Sequence, residues 1–384
     1  MTMTTNNEHK KLNAPTLRFP EFEGEWEEKR LAEIADLYKG NGISKEQLAN
    51  IGEPCILYGE LYTKYKSEVI SHVFSKTNID TKKLVRSKVN DVIIPCSGET
   101  AEDIATARCV PYDNILLGGD LNIIRLHDCE GSFMSYQLNG KRKYDIAKVA
   151  QGVSVVHLYG EHLKGIKTYI PCLEEQKKIA KLLSLLDERI ATQSKVIDKL
   201  QSLIKGIRHD IFKDIQGKVL ALNNIADIYQ PQTISSSDLT TEGYWVYGAN
   251  GIIGKYKEYN HETEQICITC RGNTCGTVNY TQPKVWITGN SMVINTDKYQ
   301  RQVNKRFLFH YLSSYNFNSI VSGSGQPQIV RTPLEKIKVT LPTIEEQVQI
   351  AHGIDSLLTK IETECTVLSF LESQKQYLLR QMFI

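Results

Sequence analysis

Residues 341–361, LPTIEEQVQIAHGIDSLLTKI, restate residues 170–190, IPCLEEQKKIAKLLSLLDERI, at a constant offset of 171 residues: Pro342 answers Pro171, Gln347 answers Gln176 and Ala351 answers Ala180. Both copies continue as heptads. In the first, Ile179, Leu186, Gln193, Leu200 and Ile207 fall seven apart, as do Leu183, Ile190, Ile197, Ile204 and Ile211. The second has Ile350, Leu357, Glu364, Leu371 and Leu378, with Ile354, Ile361, Leu368, Lys375 and Met382. A narrow apolar seam held this long fits a partner helix better than a broad core, so two long antiparallel coiled-coil helices are expected. The simpler alternative is two amphipathic helices, each on its own domain. Gln193 and Glu364 occupy the same middle layer, where antiparallel pairing would bring them together and set the register at some cost in stability. Thr343 and Glu346 form a capping box at the second start, and Cys172 is the weaker cap of the first. The helical segments differ in charge: residues 169–216 carry 9 Lys/Arg against 7 Asp/Glu, residues 339–384 carry 3 against 6. This too favours pairing.

The echo extends upstream. LAEIADLYKG (31–40) matches LNNIADIYQP (222–231), VIIPCSGET (92–100) matches ICITCRGNT (266–274), and LLGGDLNII (116–124) matches WITGNSMVI (286–294). Short β-branched runs broken by Gly, Asn and Asp predict strands and turns, and SFMSYQLNGKRKYDIAKVA and NKRFLFHYLSSYNFNSIV predict one or two helices late in each domain. The expected class is therefore α+β, with two similar domains separated by the coiled-coil helices in a pseudo-two-fold internal repeat. The expected boundaries are a disordered lead-in over 1–16, a first domain over 17–168, the central helix over 169–216, a second domain over 217–338 and the C-terminal helix over 339–384. No run approaches 18 apolar residues and the first 15 are polar, which predicts neither a membrane span nor a signal peptide. Nine scattered cysteines suit a reducing, cytoplasmic setting. Cys267, Cys270 and Cys275 near His261 raise a zinc site, but a strand through Cys267 and Cys270 would turn them to opposite faces. No metal or other cofactor is expected.

Catalytic signatures were sought and are missing. GEHLKGIKT (160–168) has one residue too many before its lysine to be a phosphate loop, and no nucleophile elbow, zinc-helix motif or dinucleotide fingerprint occurs. What remains is loops with side chains suited to base edges, since arginine can pair with guanine and Asn or Gln with adenine. Ser97, Glu99 and Thr100 align with Arg271, Asn273 and Thr274. Gly119-Asp120 aligns with Gly289-Asn290, and Gln151 to Ser154 align with the stretch that leads to Gln326 and Gln328. Asn250 is a further candidate. The plainer reading of each loop is a tight turn that needs its glycine. Lys64-Tyr65-Lys66, Lys82-Lys83 and Lys141-Arg142-Lys143 are candidate phosphate contacts or ordinary solvated surface.

These features together resemble the DNA specificity subunit of type I restriction–modification systems. The most specific marks are the two Pro-x-x-Glu-Glu-Gln helix starts, at Pro171 and Pro342, each followed by heptads. GVSVVHLYGEHLKGI and SGSGQPQI resemble the ends of that family's recognition domains, and RLAEIADLYKG their beginnings. The resemblance implies a non-catalytic chain in which each domain reads one half of a split double-stranded DNA target and the helices set the spacing. It also implies two modification subunits that methylate adenine, and through them two ATP-driven restriction subunits. Lys375, opposite Ile204 in the repeat, departs from the apolar seam. A structural adaptor that binds a protein through its coil, without reading bases, is the alternative.

Overall fold

A computed structural model describes residues 13–80, 82–152, 155–249, 251–323 and 325–384. The chain divides into two compact units, residues 1–194 with 366–384, and residues 195–365. Each unit is closed by the start of one long helix and the end of the other, because the division cuts both helices, Leu173–Asp214 and Ile344–Gln381. The cuts fall just past the polar seam positions Gln193 and Glu364. The expected lead-in lies mostly outside the described residues. Of the rest, Pro15 is buried, the Asn13 carbonyl accepts from the Trp26 N–H at 2.7 Å, and the Leu17 N–H donates to Gln381 at 2.9 Å.

In the first unit a four-stranded antiparallel sheet has the order Ala35–Lys39, Leu121–Leu126, Asp91–Pro95, Arg108–Val110. Asp91–Pro95 is buried along its length. Strand alternation sends Val92 and Ile94 into one core with Met134, Leu138 and Ile146, and Ile93 into another with Ile56, Leu61 and Leu121. The first core seats helices Gly131–Asn139 and Lys143–Val149 on the sheet, and the second seats a five-stranded sheet containing Glu53–Ile56. The second unit repeats this plan, with Asp227–Tyr229, Ser291–Asn295, Ile266–Thr269 and Val278–Tyr280 in the same order. Ile266 and Ile268 join Phe307, Leu308 and Leu312 from helix Lys305–Ser314, while Cys267 joins Tyr247, Ile287 and Val293. Cys267 and Cys270 thus lie in different apolar clusters, and burial pushes the Cys267 thiol up to about 12. The α+β plan with an internal repeat is the one the sequence predicts.

The helices pair antiparallel, as each unit shows by itself. In the first, Ile179, Ala180 and Leu183 cluster with Leu379, Met382 and Phe383 over Trp26, Phe133 and Tyr136. In the second, Phe212 and Ile215 share a core with Ile350 and Ala351. Every seam position named above is buried or half-buried.

The repeated glutamine of the helix start is a staple. Gln347 is buried; its amide donates to the Pro342 and Gln302 carbonyls at 3.0 and 3.1 Å, and its oxygen accepts from the Asn304 N–H at 2.8 Å. Gln176 does the same in the first unit, donating to the Pro171 carbonyl and accepting from the Glu130 N–H, both at 2.9 Å. Asn304 and Glu130 are the N-cap residues of Lys305–Ser314 and Gly131–Asn139, so each long helix is pinned to the start of its domain's own helix. The neighbouring glutamates differ: Glu346 completes the capping box with Thr343, whereas Glu175 is buried against Arg18 at 2.7 Å.

Lys375 breaks the seam without leaving it. Its ammonium is buried 2.6 Å from Asp187 and 2.5 Å from Glu68, and the Tyr136 hydroxyl donates to Asp187 at 2.7 Å. The second unit has a polar knot of its own where its helices meet the domain: Arg208 reaches Nδ1 of His310 at 3.1 Å, and Nε2 of His310 lies 2.8 Å from Asp355.

Candidate nucleic-acid interface

Three loops converge at one edge of each four-stranded sheet, and corresponding backbone bonds tie them together. In the first domain the Cys96 N–H donates to the Asp120 carbonyl at 2.7 Å and the Leu158 N–H to the Cys96 carbonyl at 2.8 Å. Ser97–Gly98 pairs with Val156–His157, and Gln151 and His157 exchange bonds of 2.9 and 2.7 Å. In the second domain the Cys270 N–H donates to Asn290 and the Ile329 N–H to Cys270, both at 3.0 Å. Arg271 bridges to Gln328, and Ser322 and Gln328 exchange bonds of 2.8 Å each. The loops that align in sequence are therefore joined by the same pattern of bonds in both domains. Gly152 and Gly323 close the third loop with φ of +128° and +93°. A side chain there would meet the carbonyl of Val155 or of Gln326, so glycine is required.

Within this shared frame the side chains differ. In the second domain Arg271, Asn273, Asn290, Gln326 and Gln328 are exposed together, and Thr274 is half-buried. Among the described residues no hydrogen bond or ion pair engages the Arg271 guanidinium. This is a cluster of donors and acceptors of the kind that reads base edges. In the first domain Glu99, Asp120 and Gln151 are exposed at the corresponding places. Two exposed rings there were not singled out from sequence: His157, the counterpart of Gln328, stacks at 6.3 Å on Tyr159. The alternating aromatics of VVHLYG were the available signal.

Other sequence candidates have structural employment. Tyr65 is 6% exposed, packed with Ile56, Leu61 and Ile70, and burial pushes its hydroxyl far up from the usual phenol range. It is a core residue, which corrects its place beside two lysines in a supposed surface stretch. Ser97 is buried beneath its strand pairing. Thr100 caps helix Ala101–Ile104, accepting from the Asp103 N–H at 3.1 Å. Lys64 pairs with Glu60 at 2.6 Å and lies 3.1 Å from the Ser75 hydroxyl, but it lines a cleft of about 990 Å³ that includes Asp120 and so borders the loop face. Arg142 bonds Asp145 and the Ile384 carbonyl, and Lys143 lies 3.6 Å from Glu102. Ser154 and Asn250 lie outside the described residues.

Among the described residues no helix is long and apolar enough to cross a membrane. The sequence matches the family described as the type I restriction modification DNA specificity domain twice, over residues 23–202 and 210–373. It is 26% identical to the MjaVIII type I specificity subunit of Methanocaldococcus jannaschii across 90% of this chain and 88% of that one. Similarity to the EcoprrI specificity subunit of Escherichia coli is 29% identity over 151 residues, 38% of this chain and 37% of that one. A type I restriction–modification S subunit from M. genitalium shares the fold, with a TM-score of 0.66 at 19% identity over 97% of this chain and 99% of that one. A duplicated domain, a duplicated helix and a family match in each half lead to one conclusion: the chain belongs to the family of type I restriction–modification DNA specificity subunits.

Proposed function

We propose that each domain reads one half of a bipartite double-stranded DNA target through its three-loop edge, and that the paired helices set the spacing between the halves. The observation that carries this reading is the common backbone frame with divergent exposed side chains. Two readers of different half-sites need the same platform and different contacts. Backbone-to-backbone bonds leave the outward side chains free to vary, so the frame can stay while Asn273 replaces Glu99 and Asn290 replaces Asp120.

The helices also dock two modification subunits, which methylate adenine at N6 and bring two restriction subunits into the complex. In this reading the chain itself performs no catalysis and works in the cytoplasm. The helix surface supports docking, because Leu182, Val196 and Leu203 are exposed at heptad spacing on the first helix, and Phe370 and Tyr377 on the second. These positions lie outside the seam and present apolar surface to a partner. The test is a genome-wide map of adenine methylation in cells carrying this chain with its methyltransferase partner and in cells lacking only this chain. Loss of one split motif with a fixed gap is the expected result. An unchanged map would overturn the reading and favour the adaptor.

A further inference from the structure

The two domains differ most beside the loop edge. In both, a strand runs parallel to a two-residue partner, Glu53–Ile56 with Leu116–Leu117 and Tyr244–Gly248 with Trp286–Ile287. In the first domain the chain then enters the short helix Glu60–Thr63. In the second it turns back at once as the strand Gly251–Tyr256, and the resulting hairpin is a ribbon that supplies two strands of a three-stranded sheet, with Gly251–Tyr256 at its edge. The pairing slips between Val246 and Tyr247, which face Gly254 and Ile252, so Ile253 is an extra residue in a bulge. Bulges re-aim side chains. Here consecutive isoleucines both stay in solvent, Ile252 46% and Ile253 47% exposed, where regular alternation would turn one of them inward.

The ribbon tip is anchored to the loop edge. The Ser291 hydroxyl donates to the Gly248 carbonyl at 3.2 Å, and the Thr269 hydroxyl donates to the Ala249 carbonyl. Ser291 follows Asn290, and Thr269 lies two residues before Arg271. The ribbon tip is therefore tied to the strands that lead into the exposed polar cluster of the second domain. Lys255, whose ammonium sits 4.8 Å over the Trp245 ring, adds a cation on the same ribbon. An apolar pair on a ribbon that carries Lys255, and whose tip is tied to the strands beside Arg271 and Asn290, suits a surface that carries phosphates outside and methyl groups within.

We propose that this ribbon enters the DNA major groove and that Ile252 and Ile253 contact the 5-methyl groups of thymine in the half-site read by the second domain. The inference rests on the proposed reading of DNA by that domain. A two-stranded ribbon fits the major groove, and the thymine methyl is the one apolar feature the groove displays. In the first domain the chain passes through helix Glu60–Thr63 before it returns as the strand Ser75–Thr77, which pairs antiparallel with Glu53–Ile56 but carries no isoleucine, so that domain lacks this contact.

The test uses the complete complex with its modification subunits and duplexes in which each thymine of that half-site is replaced, one at a time, by deoxyuridine. This removes only the methyl. At one or two positions the unaltered complex should bind about fourfold more weakly, the worth of one buried methyl group. The Ile252→Ala/Ile253→Ala complex should bind thymine and deoxyuridine duplexes alike, and Ile252→Ser/Ile253→Ser, which leaves no methyl group at either position, should behave the same way. A half-site without thymine overturns the proposal, as does a deoxyuridine effect that persists in both variants. Weakened capture of the modification subunits with unchanged discrimination also overturns it and makes the ribbon a protein contact. Arg271→Ala separates the two levels of failure. If it relaxes the motif while deoxyuridine has no effect, only the ribbon inference falls; if it too changes nothing, base reading by this edge falls with it.

Discussion

Replacing Lys375 with methionine isolates the work of the buried cation. Its ammonium lies 2.6 Å from Asp187 and 2.5 Å from Glu68, and all three residues are buried. At an effective dielectric near 20, each attraction at that separation is roughly 6 kcal/mol before the desolvation that opposes it. Methionine fills most of the volume but leaves the two carboxylates without the ammonium between them, with only the buried Arg108 guanidinium nearby to offset their charge. Breaking a buried pair from one side costs about 3–5 kcal/mol, which in a unit of this size lowers the melting midpoint by roughly 10 °C. Burial, reinforced by Glu68, already holds the Asp187 carboxyl above its usual range against the pull of Lys375, and losing the ammonium raises it further. A carboxyl raised in the folded state favours folding at low pH and loses that contribution as pH rises through its folded pKa. The gap between variant and parent should therefore be widest at pH 8 and narrow toward pH 5. Urea unfolding reports it through Trp26, which packs on Phe133 and Phe383 in the same unit, with Trp245 and Trp286 replaced by phenylalanine. A loss below about 1 kcal/mol, the size of a surface pair, or a gap that ignores pH, refutes the argument. Adding Glu68→Gln and Asp187→Asn should restore most of the stability.

Arg271→Ala should cost about 1–3 kcal/mol in specific binding and relax the methylated motif at one position of one half-site; an unchanged motif with intact folding removes it from the interface. Arg208 can only donate to His310, so Nδ1 accepts and the Nε2–H donates to Asp355, which makes the ring neutral. Burial holds its pKa down to about 4, so stability present above pH 6.5 is lost as pH falls toward 4, by roughly 3 kcal/mol. His310→Gln should flatten that acid limb in a series of unfolding midpoints, and an equally steep limb would count against a buried neutral imidazole. Gln347→Ala strands a buried N–H and two carbonyls at about 2 kcal/mol and should speed amide exchange at Asn304. Gln176→Ala should do so at Glu130, and unaltered exchange at both amides would rule out the staple.

The heptad seam was legible because helix periodicity is local, and the internal repeat because its strand segments recur in order, although their assembly into a four-stranded sheet was not. The partners that complete each feature were not. Lys375 is visible as a break in the pattern, yet Glu68 stands far away in sequence and no periodicity links them. The repeated glutamine stands out at Gln176 and Gln347, but its purpose depends on where Gly131–Asn139 and Lys305–Ser314 begin. Tyr65 reads as surface from its lysine neighbours, although the turn that ends helix Glu60–Thr63, with the Tyr65 N–H on the Glu60 carbonyl, carries its ring into the core. His157 and Tyr159 alternate with the buried Val156 and Leu158, and which of the two faces meets solvent depends on the pairing of Val156–His157 with Ser97–Gly98.

The interface divides along the same line for a physical reason. The bonds that bring the loops together run from backbone to backbone, through Cys96, Asp120 and Leu158 or through Cys270, Asn290 and Ile329. Such bonds constrain conformation and demand glycine at Gly152 and Gly323, so they leave a repeating trace in the sequence. They place no demand on the side chains that point outward between them. In the proposed reading those positions answer only to the DNA, and two domains that read different half-sites have no reason to agree there. Divergence at Glu99 and Asn273, at Asp120 and Asn290, and at His157 and Gln328 is thus what a shared platform with separate targets should produce, whereas two domains that merely filled space would have no reason to keep the frame so strictly.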